Sequence, residues 1–89
     1  MSRKANQQTT PSAKEVRRDA ITEYLAALEE AYPLSKGKAR VFTRQDNRVI
    51  VSVPLPKRVN ERMRLFDQMA EIGTKLLLET DEYIILSSR

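Results

Sequence analysis

Eighty-nine residues leave room for one domain with a small core and modest stability. Sixteen Lys and Arg against twelve Asp and Glu give a net charge of +4, which favours polyanionic partners such as DNA or RNA. With no cysteine and no histidine, disulfides, thiol chemistry and an imidazole base or metal ligand are all excluded.

A hydrophobic share of 40% beside 31% charged residues suits a folded domain with a polar tail. Met1 to Pro11 carries no apolar anchor beyond Ala5 and is expected to form a disordered basic and polar arm. Residues 12–89 are expected to form a single α+β domain. The opening MSRKANQQTTPSAK lacks the apolar segment of a signal peptide, and no apolar run approaches the ~18 residues of a membrane span. A cytoplasmic location, with no membrane partner, is the expectation.

At Ser12 a helix is predicted to begin, since Ser12-Ala13-Lys14-Glu15 fits a capping box. Val16, Ala20, Tyr24, Ala27, Leu28 and Ala31 recur at three- and four-residue steps behind it, with Ile21, Leu25 and Tyr32 widening the stripe. Pro33 should end the helix near Tyr32.

After a loop around Gly37, Ala39 to Arg44 and Arg48 to Val53 read as two strands of a hairpin. A three-residue turn, Gln45-Asp46-Asn47, places Val41 opposite Val51 and Thr43 opposite Val49, giving one clean apolar face. Asn47 then takes the left-handed position. Pro54 and Pro56 close the strand.

A second amphipathic helix is predicted from about Lys57 or Asn60 to Ile72, with Val59, Met63, Phe66 and Ala70 on its core face, Leu65, Met69 and Ile72 alongside, and Gly73 as its C-cap. Thr74 to Glu79 and Glu82 to Ser87 then read as a closing hairpin around Thr80-Asp81. The expected order is therefore α-β-β-α-β-β, a mainly antiparallel sheet with two helices. VIVSV, LLL and YIIL are nearly continuous apolar runs, a pattern of strands covered on both faces that hints at self-association.

Two constellations suit nucleic acid. In the preferred register Arg40, Phe42, Arg44, Arg48, Ile50 and Ser52 point away from the valine face. Guanidinium groups there would pair with phosphates while the ring stacks on an unpaired base. Arg44 and Arg48 face each other across the turn, an arrangement an anion would relieve. The same pattern fits a solvated hairpin tip with Phe42 and Ile50 buried against another element. The second constellation is PLPKRVNERMR, where Arg58 and Arg62 are the least neutralised pair near a helix N-terminus. Asn60 as N-cap would weaken that reading. The first helix shows a similar gradient, with Lys14, Arg17 and Arg18 ahead of Glu29 and Glu30.

Enzymatic equipment is absent from the pattern. A Ser or Thr nucleophile has no imidazole partner, and Gly37 and Gly73 make neither a phosphate loop nor a dinucleotide fingerprint. Glu29 and Glu30, adjacent on a helix, do not converge on a cation, and Glu79, Asp81 and Glu82 are expected to be solvated at a hairpin tip. No catalytic residue, cofactor, metal or small-molecule substrate is expected. RVFTR and VIVSV also do not reproduce the aromatic-glycine signature of RNA-binding sheet domains. The leading expectation is a non-enzymatic protein that holds DNA or RNA through Arg40, Phe42, Arg44, Arg48, Arg58 and Arg62. The alternative is a protein-interaction module or homodimer joined through Phe42, Ile50, Leu77, Tyr83 and Ile85.

Overall fold

A computed structural model describes residues 12–88, so the expected N-terminal arm lies outside the described residues. The elements are α1 (Ala13–Ala31), β1 (Arg40–Thr43), β2 (Val49–Val53), α2 (Val59–Thr80) and β3 (Ile84–Ser88), with a turn of 3-10 helix at Pro33–Ser35.

The first half follows the local chemistry closely. The Ser12 hydroxyl accepts from the Glu15 amide at 3.2 Å, satisfying one of the free donors at the start of α1. Ala20, Tyr24 and Leu28 are the buried line of that helix. At its end the Tyr32 amide still donates to Leu28 O at 2.7 Å, before Pro33 tightens the chain into the 3-10 turn. Ser35, buried there, donates its hydroxyl to Tyr32 O at 2.7 Å.

The hairpin takes the expected register, with Val41 opposite Val51 and Thr43 opposite Val49. Asn47 has φ 69°, and the Arg44 amide closes the turn onto Arg48 O at 2.8 Å. Asp46 accepts from the Arg48 amide at 3.2 Å, a local bond that favours this turn over a longer loop.

The second half departs from expectation. Gly73 does not cap α2, and Thr74 to Glu79 is not a strand. The helix continues to Thr80 and ends at Asp81, which takes the left-handed cap at φ 64° and donates its amide to Leu77 O at 2.9 Å. Thr80-Asp81 is thus a true stop signal of a different kind. Leu, Lys and Glu propagate a helix well, and the roughly 1 kcal/mol cost of a mid-helix glycine is offset by packing. A Cβ on Gly73 would sit 3.3 Å from Ile84 O and 3.8 Å from the Tyr24 ring, so the missing side chain is what lets α2 approach β3 and α1.

Extending the helix also changes its buried face. Leu65, Met69 and Leu76, with half-buried Ile72 between, form a stripe at steps of four, three and four. The line Val59, Met63, Phe66 and Ala70, expected inside, is left outside: Val59 is 56% exposed and Met63 60%. Stopping the pattern at Gly73 removes Leu76, the residue that makes the other stripe longer.

With no strand in Thr74–Glu79, the order is α-β-β-α-β. The sheet is mixed rather than mainly antiparallel: β2 lies centrally, antiparallel to β1 and parallel to β3. The α2 helix is the crossover that such a parallel pair requires. Val49, Val51, Val53, Ile84 and Leu86 form the core face, closed by Ala20, Tyr24 and Leu28 of α1 and Leu65, Met69 and Leu76 of α2. Among the described residues no helix is long and apolar enough to cross a membrane.

Tyr24 is 1% exposed, and burial pushes its phenol well above the usual tyrosine range. The raised folded-state value means the neutral phenol is favoured by folding. Its contribution is therefore complete below the unfolded value near 10 and declines as pH rises past it. Urea midpoints measured from pH 9 to 11 should fall more steeply for the wild type than for Tyr24→Phe. Parallel curves would show that Tyr24 ionisation is not linked to folding.

Candidate nucleic-acid interface

Strand alternation divides the sheet cleanly. The valine side meets both helices, while Arg40, Phe42, Ile50, Ser52, Ile85 and Ser87 share the opposite side through the pairs Arg40/Ser52, Phe42/Ile50, Ile50/Ile85 and Ser52/Ser87. Ile50 is buried to 7% exposure by its sheet neighbours yet stands outside the core cluster under the helices. Phe42 on β1, 52% exposed, and Tyr83 just before β3, 46% exposed, flank this row. Phe42 is thus not buried against another element.

Three of the predicted arginines belong to this side. The Arg48 guanidinium lies over the Tyr83 ring, 5.3 Å from its centroid, a cation–π contact that holds both groups in place. It also pairs with Asp46 at 3.3 Å, an exposed contact of little energy. Arg40 and Arg44 are exposed, and among the described residues neither forms an ion pair. The Arg44 and Arg48 backbones are hydrogen-bonded across the turn, so two cationic side chains leave the same end of the hairpin.

Arg58 and Arg62 are not part of this face. Arg62 turns back on its own chain, donating to Lys57 O at 2.8 Å and Pro56 O at 3.3 Å, and so braces the lead-in to α2. One nitrogen of its guanidinium is held by those two carbonyls, which fixes the side chain and leaves its charge in place. Arg58, rather than Asn60, occupies the N-cap position, in extended geometry with no side-chain cap, and is exposed. On α1, Arg17 reaches Glu82 at 2.9 Å in a half-buried pair that ties the start of α1 to the loop before β3. Glu82 is therefore a structural partner, and among the described residues no three acids gather as a metal site would need.

Sequence reasoning did not include Tyr83 among the nucleic-acid residues. Its alternation with Ile84 signals an outward ring, but its place beside Arg48 depends on the parallel register of β3, which the hairpin reading hid. Leu77, grouped with the sheet in the dimer surface, instead lies on α2. No family model, curated protein or solved structure matches this chain significantly.

Proposed function

We propose that this protein binds single-stranded DNA or RNA on the open side of its sheet, without catalysis. The observation that carries the reading is the pairing of two half-exposed rings, Phe42 and Tyr83, with Arg40, Arg44 and Arg48 on one side of one sheet. Unpaired bases stack on the rings, and every base offers a π face, so stacking needs no sequence preference. The guanidinium groups take the phosphates between stacked bases, and Arg48 is already oriented by Tyr83. A phosphate between Arg44 and Arg48 removes their mutual repulsion. Duplex is the poorer ligand on this reading, because its base faces are hidden from Phe42 and Tyr83.

The test is an anisotropy titration with labelled single strands of DNA and RNA from 50 to 200 mM salt. Three phosphate contacts predict a log–log salt slope of about −2 on a single strand. Unlabelled duplex should compete weakly. Absence of association at 50 mM salt would overturn the proposal.

A further inference from the structure

The α2 stripe that the fold leaves outside is self-complementary. Val59, Met63, Phe66 and Ala70 lie on one side of the helix at steps of four, three and four, the spacing of a helix–helix seam, and Leu77 extends the line past Gly73, which is itself buried under β3 and α1. Four of these positions are symmetric about Gln68: Phe66 and Ala70 stand two residues away, Val59 and Leu77 nine. In an antiparallel pair of α2 helices the large Phe66 therefore meets Ala70, and Val59 meets Leu77.

A groove of about 310 Å³ runs beside the stripe, between α2 and β3, with Phe66, Ala70 and Leu77 on one wall and Tyr83 and Ile85 on the other. It lies along the side where, among the described residues, β3 has no strand neighbour. Phe66 is 39% exposed at its rim.

Charge selects the occupant and its direction. The first part of α2 and its lead-in holds Lys57, Arg58, Arg62 and Arg64 against Glu61, and the rest holds Asp67, Glu71 and Glu79 against Lys75. That gradient opposes the helix's own macrodipole at both ends, so it does not serve the isolated helix. A second α2 running the other way sets basic end against acidic end and aligns the two dipoles favourably. A parallel copy sets like on like.

From this we infer that two copies of this chain associate about a two-fold axis at Gln68, with α2 packed antiparallel on α2 and the Phe66 rings entering the neighbouring grooves. The contact is isologous, as closed dimers require. Because Tyr83 and Ile85 line the same groove, the contact adjoins the β3 margin of the open sheet side and leaves the β1 margin, with Arg40, Phe42 and Arg44, uncovered.

Light scattering on the eluting full-length chain should give twice 10.3 kDa at high micromolar concentration. Phe66→Asp should raise the dimer dissociation constant at least about thirtyfold, as loss of a central aromatic anchor does. Far-ultraviolet dichroism should show that its fold is retained. In a chain without native cysteine, the double variant Val59→Cys/Leu77→Cys should crosslink on mild oxidation and neither single variant should. A monomeric wild type, a dimer unaffected in folded Phe66→Asp, or crosslinking of the Val59→Cys single variant would each overturn the inference.

Discussion

Leu76→Ala is expected to lower the unfolding free energy by about 2–5 kcal/mol, and Leu78→Ala by less than about 0.5 kcal/mol. Leu76 is 1% exposed, between α2 and the core sheet, whereas Leu78 is 81% exposed. Two residues along a helix lie on nearly opposite sides; two residues along a strand share a side. The pair therefore separates the helix over Thr74–Thr80 from the hairpin that the same residues suggest. A domain of this size has only about 5–15 kcal/mol in total, so the alanine at Leu76 removes a large share. Urea unfolding of both variants gives the answer, and equal losses at the two positions would restore the strand.

On the open side of the sheet, Phe42→Ala and Tyr83→Ala should each weaken single-strand binding roughly 5- to 150-fold, the range of one lost base–aromatic stack. Both rings are about half exposed, so neither truncation removes much of the core, and a melting curve checks this. Tyr83→Ala also frees Arg48 from its ring contact, so its effect should be the larger of the two. Arg40→Gln and Arg44→Gln act differently. Each should weaken all sequences alike and make the salt slope shallower by about 0.7, the signature of one lost phosphate contact. Arg62→Gln serves as the control, because that guanidinium is engaged by Pro56 O and Lys57 O. Loss of binding in Arg62→Gln with unchanged Phe42→Ala would move the interface off the sheet.

The elements set by local chemistry were legible before any coordinates. Ser12 with Glu15 and Tyr32 with Pro33 bound α1, and Asn47 fixes the hairpin register, because capping and turn geometry act within four residues. The end of α2 was not legible, since Gly73 carries the same signal whether it caps a helix or admits a neighbour. Ile84 O and the Tyr24 ring decide between the two, and both belong to distant elements. That one ambiguity propagates into the strand count, the direction of β3 and the choice between two apolar stripes on α2. The candidate site shows the same division. Arg40, Phe42, Arg44 and Arg48 follow from strand alternation alone. Arg62 was misread because its partners are carbonyls, which leave no trace in charge spacing. Tyr83 needed the tertiary register.

The position of β1 has a consequence for how the protein meets a ligand. All four of its residues are exposed, Val41 included at 38%, so among the described residues no helix covers it and its outer margin has no strand neighbour. Its amides are tied to β2 alone and should open to solvent exchange long before those of β2, at a fraction of the free energy of global unfolding. If β1 opens in this way, Arg40, Phe42 and Arg44 would move with it, while Tyr83 would stay beside β3. On the proposed reading, such a surface would adjust its span to the uneven spacing of a flexible polymer and give up some tightness in return.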